Sequence, residues 1–276
     1  MRRRAACTTA GIALALCTPV HASSAGDLPV IAAAIRAGRL IQAEIMLARL
    51  PVPGSPDEAE AVADVRGQFA LATGASPEAL RIFDALRTAK PERCEYVRDF
   101  GIAAARLGDA RALDALSGTA PRCASWQSGQ MLGVVFARAK RWDESEQAFA
   151  LSLKLRPDNG VTLNNRAYAR IEQGRYDDAL DDLRAALRAT PGDRRIINNI
   201  DLAEGARGNP PRRRQGVDDD RAWASRLTLA AKGALRAGRT ELARAMLAQA
   251  VDVSPYYVNE PSALLADLAD VKKGTQ

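Results

Sequence analysis

The sequence predicts an all-α fold of stacked helix pairs, and three observations carry that expectation. The apolar residues, 47% of a 276-residue chain, are mostly Ala and Leu, which lose little side-chain freedom in a helix. β-Branched runs and hairpin dipeptides between alternating segments are scarce. The chain also repeats itself: Asn164-Asn165 returns as Asn198-Asn199 and Gly174 as Gly208, each 34 residues later. Gly74 and Gly108 lie 34 apart and Gly101 and Gly133 32 apart, while Gly38 and Gly238 share one setting of helix, glycine and second helix. An Ala-rich bundle needs no fixed period, whereas a solenoid of repeats does.

The first residues are of another kind. Arg2, Arg3 and Arg4 precede an apolar stretch from Ala10 to Leu16, and Val20-His21-Ala22 precedes Ser23. That order is the signature of a secretory leader over 1–22, cleaved between Ala22 and Ser23. Thr8, Thr9, Thr18 and Pro19 leave the apolar stretch too short to span a bilayer. Leu14-Ala15-Leu16-Cys17 looks like a lipobox, but Leu16 stands where such motifs want a small residue, so lipidation of Cys17 and an outer-membrane location are the alternative to simple cleavage. A periplasmic location is expected.

Removing Arg2, Arg3 and Arg4 lowers the 39 basic residues to 36 against 33 acidic, a net charge of +3 in place of +6. That weakens any case for nucleic-acid binding. The single histidine, His21, leaves with the leader, which excludes imidazole bases and His-containing zinc sites from the mature chain. There is no phosphate-binding loop and no Gly-rich dinucleotide fingerprint. No later apolar run approaches membrane length. Neither a cofactor nor a metal is expected, and any enzymatic chemistry would rest on scattered carboxylates.

The 34-residue unit has a fixed residue order. Ala167, Gly174, Tyr176, Ala179, Leu183, Ala186 and Pro191 form one copy. Leu132, Gly133, Phe136, Trp142, Phe149 and Pro157 form another, and Ala231, Gly238, Ala243, Leu247, Ala250 and Pro255 a third. Gly67, Gly74, Ala79, Phe83 and Pro91 make a fourth, with weaker copies over 27–50 and 92–120. Small residues let antiparallel helices approach, Tyr176 and Leu183 fill the groove between pairs, Gly174 exits the first helix and Pro191 stops the second. This order resembles the tetratricopeptide repeat, which implies an all-α solenoid, a right-handed superhelix of antiparallel helix pairs. The expected organisation is a leader over 1–22, a weak helix pair over 27–56, the repeat array over 57–208, a linker over 209–220 and a last repeat with a capping helix over 221–276.

Three positions depart from the pattern. Arg166 and Arg170 stand where the repeat prefers apolar residues, and Asp201 where it prefers a small one. Either the register slips locally or adjacent first helices carry an ion pair between these sites. Pro210-Pro211, followed by the Arg212–Arg214 and Asp218–Asp220 blocks, leaves one unit without an obvious second helix.

A stack of helix pairs has no built-in chemistry and presents an extended face to a partner. The expected function is a non-enzymatic periplasmic scaffold for a protein or peptide. The run from Asn164 to Leu187 and the Ser254-Pro255-Tyr256-Tyr257 stretch resemble the exported TadD-like proteins of Flp, or tight-adherence, pilus assembly, which implies a role in building an envelope secretion machine. An adaptor in cell-wall or outer-membrane biogenesis is the second expectation, and a carboxylate-dependent peptidoglycan hydrolase the third.

Two local expectations complete the picture. Cys94 and Cys123 each lie near the start of successive first helices, where a disulfide forms in an oxidising compartment; two buried thiols are the alternative. Gln130, Asn164 and Asn198 are spaced by 34 and 34, which stacks three amides in a row. Such a ladder pairs with the backbone of an extended peptide, or else only bridges neighbouring helices. Val161, Tyr168 and Ile171 share the face of Asn164, and Arg195 adds a cation. Resemblance to peptide-binding tetratricopeptide domains implies that this is the concave face, with Val134 and Asn199 departing from a carboxylate clamp. An internal segment or helix is therefore the expected ligand, rather than a free C-terminus.

Overall fold

A computed structural model describes residues 26–119, 121–213, 216–253 and 259–273. The leader with Ala22 and Ser23, and the stretch holding Pro255 and Tyr256-Tyr257, lie outside them. The described residues form helices with no strand: α1 (Leu28–Arg36), α2 (Leu40–Ala48), α3 (Pro56–Thr73), α4 (Ser76–Ala89), α5 (Cys94–Leu107), α6 (Arg111–Ser117), α7 (Trp126–Arg138), α8 (Trp142–Leu155), α9 (Gly160–Glu172), α10 (Tyr176–Ala189), α11 (Arg194–Arg207), α12 (Asp220–Arg236), α13 (Thr240–Val253) and α14 (Asn259–Lys273). None of these helices is long and apolar enough to cross a membrane. The architecture is an all-α solenoid of the tetratricopeptide kind.

The chain divides into two compact units, Met1–Thr73 and Gly74–Gln276. The division falls inside the 57–208 stretch that the period treats as one array, so α3 belongs with the first unit. There α1, α2 and α3 pack around Leu28, Ile31, Ala34, Ala43, Leu47, Val62 and Val65.

In the second unit α7 packs on α8, α9 on α10 and α12 on α13. The 34-residue period arises from backbone conformation. Gly74, Gly108, Gly174 and Gly208 have φ between +73° and +99°, the left-handed exit that glycine takes without a Cβ penalty. Lys140, 34 residues before Gly174, occupies the same slot with φ 55°, the one non-glycine residue with positive φ among the described residues. Gly101 and Gly133 have a different role. They lie inside α5 and α7, and a Cβ on Gly133 would sit 2.7 Å from the Phe149 ring. Ala167 occupies the corresponding small-residue site of α9 and is fully buried, as are Ala179, Leu183 and Ala186 of α10. Tyr176 packs against the same core.

The unit of α5 and α6 is truncated. The second helices α4, α8, α10 and α13 each run 14 residues, but α6 runs 7. A disulfide joins Cys94, the first residue of α5, to Cys123 at the end of a short 3-10 turn, with the Cα atoms 5.9 Å apart. Both cysteines are buried. The Glu95 carboxylate lies within 4.8 Å of the sulfurs, but the bridge leaves no thiolate to hold a metal.

The connection from α11 to α12 replaces a second helix. Asp201 meets Arg226, Gly205 meets Ala230 and Gly208 meets Arg239, so residue numbers rise together and the two helices run parallel. Fourteen residues of α11 rise about 21 Å, and the segment from Gly208 to Asp219 is long enough to retrace that length in an extended form.

The exceptional charges are paired, but not with one another as the sequence alternative had it. Arg166 and Arg170 both donate to Asp182 on α10, and Arg170 also donates to Glu146 on α8. Asp201 is satisfied by Arg226 on α12 instead. The register therefore holds, and each misplaced charge is matched by a carboxylate or guanidinium on a neighbouring helix.

A groove lined by the first helices

A groove of about 660 Å³ opens in the second unit, with walls from α7, α9, α11 and α12 and a floor that includes Trp142 and Phe149 of α8. The helix starts set its geometry. The Ser125 and Ser128 side chains form a reciprocal capping box that fixes the entry to α7. Asn159 accepts from the Thr162 backbone N–H at 2.8 Å and starts α9, and Asp193 accepts from that of Arg195 at 2.8 Å and starts α11. Gln130, Asn164 and Asn198 thus occupy the same position, the fifth, of their helices.

Sharing a position did not give them a common environment. Asn164 and Asn198 line the groove with Tyr168 and Arg195, and Tyr168 is 43% exposed. Gln130 is buried and lies away from the groove lining, on a helix that also packs against α5. Ile171 is also buried, among Leu163, Ala167, Leu202 and Ala203, because seven residues bring it about 20° off the Asn164 line and α11 covers it there. Neither side chain belongs to the exposed face that the spacing placed it on.

The amide row is also rearranged. Asn199 donates through Nδ2 to Asn164 Oδ1 at 2.9 Å, so the inter-helix link joins residues 35 apart. One amide of the predicted ladder therefore bridges helices, while Asn198 is left exposed. Asn165 lies on the lining beside them. The Nδ2 of Asn164 and the Oδ1 of Asn199 retain hydrogen-bonding capacity with no protein partner among the described residues.

Half of the charged side chains at the groove are ion-paired, and one more is held by a backbone carbonyl. Arg138 donates to the Ala105 carbonyl at 2.9 Å, Arg195 donates to Asp193 at 3.0 Å, and Glu172 is paired with Arg236. The Arg195 side chain hydrogen-bonds Asp193 and holds that carboxyl below its usual range. Arg138 and Lys140 are the lining cations with no ion pair among the described residues. Spacing also missed Trp142, Asn165, Glu172 and Leu229. Leu229 reaches the groove because α12 packs directly on α11, which the facing glycines Gly205 and Gly233 make possible.

The tetratricopeptide repeat family matches residues 95–160 and 163–196, the stretch from α5 through the start of α11. No curated protein matches the chain. Among solved structures, the APC/C hetero-tetramer Cut9–Hcn1 is similar with a TM-score of 0.55 and 17% identity, over 86% of this chain and 48% of that one. This chain thus spans about half the length of the Cut9–Hcn1 chain it matches. A tetratricopeptide repeat protein from Parabacteroides merdae ATCC 43184 aligns over 90% of this chain and 99% of its own, at 15% identity and a TM-score of 0.49. MamA AMB-1 aligns over 59% of this chain and 97% of its own, at 22% identity and a TM-score of 0.45.

Proposed function

We propose that this chain is a periplasmic scaffold whose groove holds an extended internal segment of a partner protein, in the assembly of a Flp-type pilus or its secretion machine. The groove carries this reading: Tyr168 and Leu229 offer apolar contact, and Asn164, Asn165, Asn198 and Asn199 offer donors and acceptors beside them. Such a lining pairs with a peptide backbone whatever its side chains are. Glu172 is the one acidic residue of the lining and is ion-paired, which favours a scaffold over a hydrolase that needs two carboxylates. The order of charged, apolar and small residues over 1–22 supports export, and the Cys94–Cys123 bridge suits an oxidising compartment. The resemblance of the Asn164–Leu187 run to TadD-like proteins supports the pilus assignment.

A photo-crosslinking residue at Asn198 in living cells tests the groove, with Leu151 on the exposed side of α8 as the control. The reading requires one envelope protein crosslinked from position 198, absent from position 151 and lost on adding Tyr168→Ala. Equal yields from both positions would overturn it. Mass spectrometry of the periplasmic fraction should find Ser23 as the first residue.

A further inference from the structure

The first unit bears an apolar face that none of its described residues covers. Helix α2 reads Leu40-Ile41-Gln42-Ala43-Glu44-Ile45-Met46-Leu47-Ala48 and is apolar on nearly every side. Ala43 and Leu47 turn inward and are buried with Ile31, Ala34, Val62 and Val65. Ile41 and Ile45, one turn apart, are 77% and 47% exposed, and with Leu40 and Met46 they wall an open depression of about 700 Å³. A helix that is hydrophobic all round normally has cover all round.

The charge at its rim says what that cover is. Arg39 and Arg49 flank the depression, and Arg36 lies just across the Gly38 turn. None of the three has an ion-pair partner among the described residues, whereas Arg166, Arg170 and Arg226 of the second unit each hold a carboxylate. Glu44 is the only acidic residue of α1 and α2. Unpaired guanidinium groups around exposed isoleucines await an anionic cover with an apolar interior.

We propose that this face docks on an anionic phospholipid surface, with Ile41 and Ile45 seated among the upper acyl chains and Arg36, Arg39 and Arg49 on headgroup phosphates. Arginine suits this role because its stem lies along apolar surface while its fork meets phosphate oxygens. A bilayer fits better than an acidic protein because the patch is aliphatic, has no aromatic anchor, and carries in Gln42 a single amide for directional bonding. Two isoleucines and three arginines give weak, reversible attachment of an interfacial helix rather than insertion.

Sedimentation of the purified chain with vesicles tests this. Binding is expected with phosphatidylglycerol mixed into phosphatidylcholine, and not with phosphatidylcholine alone. It should fall steeply as salt rises from about 0.05 M to about 0.5 M. Ile41→Glu with Ile45→Glu should abolish it, and Arg39→Glu with Arg49→Glu should weaken it about 30-fold or more, with helical content and thermal midpoint unchanged. The second pair leaves the apolar positions alone, so it stays informative if the first pair fails to fold. Undiminished binding by the arginine pair overturns the proposal, as does equal binding to both vesicle types. A concentration-dependent dimer that the isoleucine changes dissolve, with vesicle binding unaltered, would make a second copy the cover and overturn it too.

Discussion

Arg226 lies fork-to-fork on Asp201: Nε donates to Oδ2 at 2.7 Å and Nη2 to Oδ1 at 2.8 Å. Its third nitrogen, Nη1, donates to Asp218 at 2.8 Å and to the Arg212 carbonyl at 3.0 Å. One guanidinium thereby ties α11, α12 and both described ends of the connection between them. Asp201 and Asp218 are buried, so removing this cation withdraws one charge-assisted partner from each of two carboxylates in low dielectric. Arg226→Met is expected to lower unfolding free energy by about 2 kcal/mol or more in urea titrations. The exposed pair Arg184 with Asp181 sets the contrast, and Arg184→Ala should cost about 0.5 kcal/mol or less. Similar losses for the two variants would show that the clamp is not what holds the connection.

The parallel contact of α11 with α12 rests on glycines. A Cβ on Gly205 would run into the Ala230 carbonyl, and one on Gly233 into the Leu202 carbonyl. Backbone cannot step aside as a flexible side-chain tip can. Gly233→Ala should therefore cost about 3 kcal/mol or more despite alanine's better helix propensity. Calorimetry of that variant beside Gly129→Ala, whose Cβ would meet Ala148 and Ser152 at a milder 3.2 Å, gives the ranking. An equal or smaller loss at Gly233 would mean that the helices separate easily.

Acid should loosen the repeats around Glu146. Burial pushes this carboxyl up, but hydrogen bonds and charge from Arg170, with Arg166 and Arg175, overcome that and hold it below the usual glutamate range. A depressed carboxyl stabilises the folded state above its unfolded pKa, and the contribution is lost as pH falls through the folded value. Parent and Glu146→Gln should therefore differ most at neutral pH, and the gap should close from about pH 4.3 downward. A gap that stays constant into acid would remove Glu146 from the acid limb of stability.

The period was legible because it is written in backbone needs that few residues meet. A left-handed helix exit selects glycine at Gly74, Gly108, Gly174 and Gly208, and close helix approach selects Gly101, Gly133 and Ala167. The groove was legible only in part. Spacing along one helix placed Asn164, Tyr168, Arg195 and Asn198 on its lining, yet it carries no information about which helix packs beside that face. Gln130 and Ile171 were lost for that reason, and Leu229 was missed because its arrival depends on a connection that replaces a helix. The pairing of Arg166 and Arg170 with Asp182 was hidden similarly, since the partners meet across a helix pair rather than along the period.

Lys140 gives a prediction of opposite sign. It holds φ 55° where the period puts glycine in other copies, and a left-handed lysine crowds its Cβ against the backbone. Its N–H donates to Ala137 at 2.9 Å, and a glycine backbone would make the same bond. Lys140→Gly should therefore raise stability by about 1 kcal/mol, a gain in thermal midpoint of about 2–4 °C, since relief of the αL penalty exceeds glycine's extra unfolded-state freedom. Lys140→Ala keeps the Cβ and should bring no such gain. If alanine stabilised as much as glycine, the cause would be the lysine side chain, and the conformational account of this slot would fail.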